Sequence, residues 1–203
     1  MEETDFIKTM NLLETKEATD IYEFKIGKKK VLLTAVHTMN QHLKDKVKLV
    51  EPYTKAICQY VANSTNAFYF VKCIDTGIDA NKLENDEFKE KLVKYIHDYN
   101  IDLVIDLHGA SFKHDFDVEF GTLDNLTLKN STENDLRRAF KKVGISKISC
   151  NEPFKGGGIT SMVYNNTDAE VVQIEINAKL RNIYEPEGLK RVAEALITFI
   201  HNY

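Results

Sequence analysis

A single three-layer α/β domain is the fold class this sequence predicts, on three observations. First, strand and helix signals alternate along the 203 residues, with neither a repeat nor a linker between them. Second, residues 101–107 form a nearly continuous apolar run of the kind that fills a strand buried on both faces. Third, that run ends in Asp106-x-His108-Gly109, and a second apolar run, residues 31–36, ends in His37. Open α/β sheets gather ligand sites at the carboxyl ends of their strands, which is where both imidazoles fall. Asp106 lies two residues before His108, on the same face of the pleat. Gly109 permits a tight turn or a close approach there.

The elements follow in order. Residues 1–18 are polar and start with a short helix or an ordered arm. Residues 21–26 alternate, Gly27-Lys28 follows, and residues 31–36 are apolar, which reads as a hairpin. The lysine-rich stretch 38–49 reads as a loop. Residues 51–62 have helical spacing at Ala56, Ile57, Tyr60 and Val61, with Pro52 tolerated near the start. Residues 67–73 are a strand that includes Cys73 as a core residue. Residues 86–99 are an amphipathic helix with Phe88, Leu92, Val93 and Ile96 inward. The strand 101–107 comes next, then a strand at 118–122 and a helix at 134–143 capped by Ser131 or Thr132. Gly156-Gly157-Gly158 marks a special loop. A strand at 170–176 and a helix at 186–201 close the chain.

Composition narrows the function. The chain is 43% apolar and 29% charged, enough for one domain spanning 1–203 with a real core. A net charge of -4 lacks the basic excess of a nucleic-acid binder. No apolar run nears the roughly 18 residues of a membrane span. The N-terminus is acidic and polar rather than leader-like. Cys58, Cys73 and Cys150 are odd in number and widely spaced, so neither a zinc ribbon nor a disulfide framework is expected. These features together predict a cytoplasmic protein with reduced thiols and a small-molecule substrate, of undetermined oligomeric state. No Gly-x-Ser-x-Gly elbow, Gly-x-Gly-x-x-Gly fingerprint or P-loop is present.

Four residues make a chemical constellation: His37, Glu51, His108 and Glu175. Two imidazoles and a carboxylate are a catalytic zinc shell that leaves one position open. A further carboxylate then serves as general base toward water. Glu175 suits that task, because a glutamate in an apolar strand requires a reason. Each residue also has a plainer reading. His37 is explained by a hydrogen bond at a strand end, and Glu51 by the field of a helix N-terminus. Glu175 is explained by pairing with Lys179 or Arg181. Asp106 either orients a histidine from behind or is a structural carboxylate. His42, in a lysine-rich loop, His97, on a helix, and His201, near the C-terminus, are set aside. His114, six residues past the central strand, is placed last among candidates for the site wall.

The constellation lies within six short motifs: Thr34-Ala-Val-His37, Glu51-Pro-Tyr-Thr54, Ile78-Asp-Ala-Asn81, Ile105-Asp-Leu-His-Gly109, Asn151-Glu-Pro-Phe-Lys-Gly-Gly157 and Gln173-Ile-Glu-Ile-Asn177. In this order they resemble the N-formylglutamate amidohydrolase family over roughly residues 30–185. That family is similar in fold to the zinc carboxypeptidases. The resemblance implies a mixed, mostly parallel twisted sheet with helices on both faces. It implies zinc held by His37, Glu51 and His108, with Glu175 promoting attack by water. The implied reaction is hydrolysis of a C–N amide bond in a small N-acylated amino acid or a γ-glutamyl-type substrate.

The sequence departs from the family at two places: Val36-His37-Thr38-Met39 stands where Pro-His-Ser-Gly is typical, and Ala178-Lys-Leu-Arg-Asn-Ile-Tyr184 follows the glutamate strand. For substrate binding, backbone N–H groups at Gly156 and Gly157 are expected to meet a carboxylate. Arg181 is expected to clamp one bidentately, with Arg137 and Arg138 as lesser candidates. Asn151 is expected to bond near the reacting carbonyl. A non-catalytic binding protein and a metal-free α/β hydrolase using Asp106 and His108 are the competing readings.

Overall fold

The computed structural model describes residues 3–82 and 86–203. In chain order the elements are α1 (Glu3–Thr15), β1 (Tyr22–Lys25), β2 (Lys29–Ala35), β3 (Gln41–Leu43), β4 (Lys46–Lys48), α2 (Thr54–Thr65), β5 (Ala67–Lys72), α3 (Glu87–Tyr99) and β6 (Leu103–Ala110). They continue with β7 (Val118–Gly121), α4 (Asn130–Lys142), β8 (Ile148–Cys150), α5 (Gly158–Asn166), β9 (Glu170–Asn177), a 3₁₀ turn (Ala178–Leu180) and α6 (Glu187–Asn202). Seven strands form one sheet in the order β1-β5-β2-β6-β9-β7-β8, while β3 and β4 form a separate two-stranded ribbon. The β5-β2-β6-β9 centre is parallel, and β1 and β7 pair antiparallel to it. The three-layer, mostly parallel architecture expected from the sequence is present.

Period-two geometry explains how the central strands serve two masters. Leu103, Ile105 and Leu107 of β6 point to one face, with Val172, Ile174 and Ile176 of β9 and Leu33 and Ala35 of β2, against the apolar sides of α1, α2, α4 and α6. The other face begins apolar: Leu32, Val104 and Val171, in register, pack on Phe70, Phe88, Leu92 and Ile159 under α3 and α5. One step along, the same face becomes polar at Thr34, Asp106 and Gln173, and one step further at His108, Glu175 and Glu119. The site is therefore the carboxyl end of this second face.

Three local expectations need correction. Residues 21–26 and 31–36 run in opposite directions but do not pair, because β5 lies between them and bonds both. The N–H groups of Lys28 and Lys29 bond Asn66 O at the end of α2, which seats the connection beside the start of β5. The stretch 38–49 is the ribbon of β3 and β4, not a plain loop. Helix α4 starts at Asn130, so Ser131 and Thr132 lie inside its first turn, not at its cap. Its start is held instead by Glu170, whose carboxylate accepts from Lys129 N–H at 2.8 Å and Thr132 Oγ1 at 3.2 Å. The glycine stretch opens α5 at Gly158, a helix its composition concealed. Cys73 is half-buried against the core, and all three cysteines are unpaired among the described residues. Among the described residues, no helix is long and apolar enough to cross a membrane.

Gly27 carries a backbone constraint at the β1–β2 connection. A Cβ added there would sit 2.3 Å from the Ala67 carbonyl carbon, a contact no rotamer change relieves. Gly27→Ala is expected to cost about 1–3 kcal/mol, the usual range for forced overpacking, read from the urea midpoint at unchanged slope. A midpoint equal to that of the parent chain would contradict this packing.

Candidate metal centre

Four segments deliver the site. His37 follows β2, His108 ends β6, and Glu51 lies just before α2, where its backbone N–H bonds His37 O at 2.9 Å. Asp79 comes from the loop after β5. His37, Glu51 and His108 each offer one ligand atom within 4.8 Å of the others. The two Nδ1 atoms are 3.1 Å apart, with Glu51 Oε1 2.9 Å from that of His37 and Oε2 3.3 Å from that of His108. Behind each ring stands a carboxylate: Asp79 Oδ1 lies 2.9 Å from His37 Nε2, and Asp106 Oδ2 lies 3.0 Å from His108 Nε2.

This arrangement carries a strong electrostatic demand. Each aspartate fixes its histidine with the proton on Nε2, turning the Nδ1 lone pair forward. Two lone pairs and a carboxylate then converge in a buried space, and acceptors that close repel unless a cation lies among them. Donor atoms roughly 2.0–2.1 Å from a tetrahedral centre stand about 3.3 Å apart, close to the spacings found here. The donor set thus fits zinc. Without metal, a proton meets the same demand. Burial disfavours the imidazolium of His108, but the charges of Asp106 and Glu51 outweigh it and hold its pKa well above the ordinary value. Burial also opposes ionisation of Glu51, but His108 and His37 hold that carboxyl well below its usual range.

Glu175 lies opposite His108 in the sheet register and within the same cleft, and it accepts from Gln173 Nε2 at 2.9 Å. Its pKa is pushed up to about 7 by burial; the carboxylates of Glu51 and Asp106 add to this and the imidazoles oppose it. The cleft has a volume of about 530 Å³ and is walled by the site residues and by Asn81, His114, Phe154, Gly156 and Gly157. Asn81 ties this wall to α5, accepting Gly158 N–H on its backbone oxygen at 3.0 Å and Ile159 N–H on Oδ1 at 3.1 Å.

Two expected substrate contacts lie elsewhere. Arg181 is buried, and its guanidinium donates to the backbone oxygens of Ile176, Pro52 and Ala110 at 3.0, 2.6 and 3.2 Å. It braces the strand ends from below instead of clamping a ligand. Gly109 makes room for it, since a Cβ there would meet the guanidinium at 2.5 Å, and the Gly109 N–H is left to bond Glu51 Oε2 at 2.9 Å. Asn151 is also turned away from the cleft. Its Oδ1 accepts from Thr122 N–H at 2.8 Å, with Nδ2 bonding Thr122 Oγ1 at 2.9 Å, which shapes the loop after β7. Arg137 is likewise held, by Glu133 at 2.7 Å, and Arg138 is exposed beside Asp135.

Asp79, Asn81, Lys48 and Gln173 were not singled out for roles from sequence. Asp79, Asn81 and Gln173 fall inside the family-like motifs, which is the signal that marks them.

Comparison with known proteins identifies the fold and the family. Among curated proteins no sequence matches this chain. The solved N-formylglutamate amidohydrolase from Ralstonia eutropha JMP134 superposes with a TM-score of 0.65 at 12% identity, covering 89% of this chain and 96% of that one. A bacteriophage poly-gamma-glutamate hydrolase superposes at 0.56 with 13% identity, covering 95% and 94%. The N-acetylmuramoyl-L-alanine amidase from Clostridium difficile 630 superposes at 0.53 with 11% identity, covering 87% and 97%. The fold is thus the zinc carboxypeptidase-like fold shared by amide hydrolases. The chain belongs to the poly-gamma-glutamate hydrolase family, whose model matches residues 9–200, and is an amidohydrolase acting on C–N bonds.

Glu175 gives the metal-free protein a defined pH response. Its folded value of about 7 exceeds the ordinary 4.5, so the folded state binds the proton more tightly. The stability this contributes is complete below pH 4.5 and is lost as pH rises through 7. The stability of the parent chain relative to Glu175→Gln is expected to fall by up to roughly 3 kcal/mol across that window, read by denaturant titration. A difference that stays level or rises with pH would show that burial does not govern this carboxyl.

Proposed function

We propose that this protein is a zinc-dependent hydrolase of γ-glutamyl-type amide bonds in a small, carboxylate-bearing substrate. The observation that carries the reading is the convergence of His37 Nδ1, His108 Nδ1 and a Glu51 oxygen, each imidazole backed by an aspartate. His37, Glu51 and His108 would hold the metal. Zinc there supplies Lewis acidity toward the amide carbonyl and lowers the pKa of water. The family match supports the γ-glutamyl class over other N-acyl amino acids. Unpaired cysteines and a net charge of -4 support a cytoplasmic enzyme without nucleic-acid or membrane partners.

The remaining chemistry belongs to the chain. Glu175, with a pKa near 7 in the metal-free protein, is poised to take a proton from the attacking water at neutral pH. As the C–N bond breaks, the same carboxyl returns that proton to the leaving nitrogen, so the free amine departs and the acid product remains. Gln173 holds the carboxylate toward the cleft by its 2.9 Å bond. Asp79 and Asp106 keep the two imidazoles in one tautomer and one orientation. The backbone of Gly156 and Gly157 lines the same cleft, where it suits an anionic substrate group.

Elemental mass spectrometry of the purified protein and of His108→Ala tests the metal, with γ-glutamyl dipeptide hydrolysis measured beside it. About one zinc per chain is expected, lost together with activity in the variant. Glu175→Gln is expected to keep zinc while turnover drops by roughly 10²–10⁴-fold. Absence of zinc after reconstitution would overturn the metal reading, and full turnover in Glu175→Gln would remove that residue from the mechanism.

A further inference from the structure

The segment between His37 and Glu51 brings a cation to the donor cluster. Its ribbon of β3 and β4 is pinned on several sides. Gln41 is buried and donates from Nε2 to Val36 O at 3.0 Å, and His42 N–H donates to Asp75 Oδ2 at 2.8 Å. Asn40 Oδ1 accepts from Val50 N–H at 2.8 Å, and the ends of the segment meet at the 2.9 Å bond from Glu51 N–H to His37 O. Lys48, the last residue of β4, is thereby held with Nζ 3.1 Å from Glu51 Oε1, its side chain 27% exposed. The other cationic side chains at the cleft differ. Lys155 is exposed and pairs with Asp124 at 2.9 Å, and Lys82 is exposed; Arg181 lies outside the cleft wall, committed to three carbonyls.

We infer that Lys48 is an exchanging counter-ion: it pairs with Glu51 in the metal-free protein and with a carboxylate of the substrate once Glu51 binds metal. The inference rests on the metal reading of the site. Its physical basis is that one carboxylate cannot fully neutralise both an ammonium and a divalent ion in a half-buried space. A divalent ion held by Glu51 would draw on the charge of its carboxylate and repel the Lys48 ammonium. The ribbon is anchored, so the Lys48 backbone stays at the cleft rim, where its ammonium keeps only the weaker attraction of Asp79, itself committed to His37. An anionic oxygen reaching the cleft supplies a partner. By linkage, a carboxylate ligand and the metal then strengthen each other's binding, and Lys48 makes the site prefer anionic substrates.

Zinc affinity measured by chelator competition, with and without glutarate at fixed free zinc, tests this in the full chain. Lys48→Met is expected to bind zinc about tenfold tighter than the parent, the scale on which a neighbour of a ligand alters metal affinity. Glutarate is expected to tighten zinc binding by the parent and by Lys48→Arg, and to do so much less in Lys48→Met. Equal or weaker zinc binding by Lys48→Met would overturn the exchange. So would an equal glutarate effect in parent and Lys48→Met, or a Lys48→Arg variant that matches Lys48→Met. A parent chain that binds no zinc would instead fail the metal reading itself, before any comparison of variants.

Discussion

The Glu51 carboxylate is the point on which the site is built. One oxygen faces His37 and Lys48, and the other faces His108 and the Gly109 N–H. Glu51 reaches this position because its backbone bonds His37 O and because α2 starts beside it. That start is stabilised from another element: Glu14 of α1 accepts from Tyr53 N–H at 2.7 Å and Ala56 N–H at 3.3 Å. Arg181 ties the same region to the strand ends through Pro52, Ala110 and Ile176. Distant stretches of chain therefore meet around one glutamate.

Gathering several carboxylates in a buried space is unfavourable, since burial penalises each charge. The fold offsets this by confining the charges to one end of one sheet face. Below that end the sheet face is apolar at the Leu32, Val104 and Val171 row under α3 and α5, and a larger apolar cluster fills the opposite face. The strands are thus rigid where they are apolar and reactive only at their tips. Two of the carboxylates are each held by an imidazole, Asp79 by His37 and Asp106 by His108. Burial, reinforced by the charges of Glu51 and Asp106, raises the pKa of Glu175 against the pull of the imidazoles.

Proteins only 10–15% identical to this chain superpose on most of its length. A fold of this kind needs only parallel strands with apolar faces and helices packed on both sides. Those demands fix backbone positions and leave most residue choices free.

Much of this was legible in the sequence. Alternating periods showed the three-layer class, because apolar spacing is a local record of which faces are buried. His37, His108, Asp106 and Glu175 stood out because polar groups interrupt or end apolar runs, where burial makes them costly without a purpose, whereas Glu51, at a helix start, was marked by the family resemblance. The sequence could not show that β5 slots between β1 and β2, since strand partners are chosen by packing across the whole sheet. Arg181 and Asn151 looked like substrate ligands, because a side chain's donors are visible in sequence but their acceptors are not. Distant backbone oxygens claimed Arg181, and the backbone N–H and hydroxyl of Thr122 claimed Asn151. Lys48 looked like one of many solvated lysines, and only the anchoring of the ribbon over Glu51 sets it apart. Residue chemistry along the strands was thus written locally, whereas which groups meet, and which are already spent on each other, was decided by tertiary structure, because pairing depends on distances that no local pattern encodes.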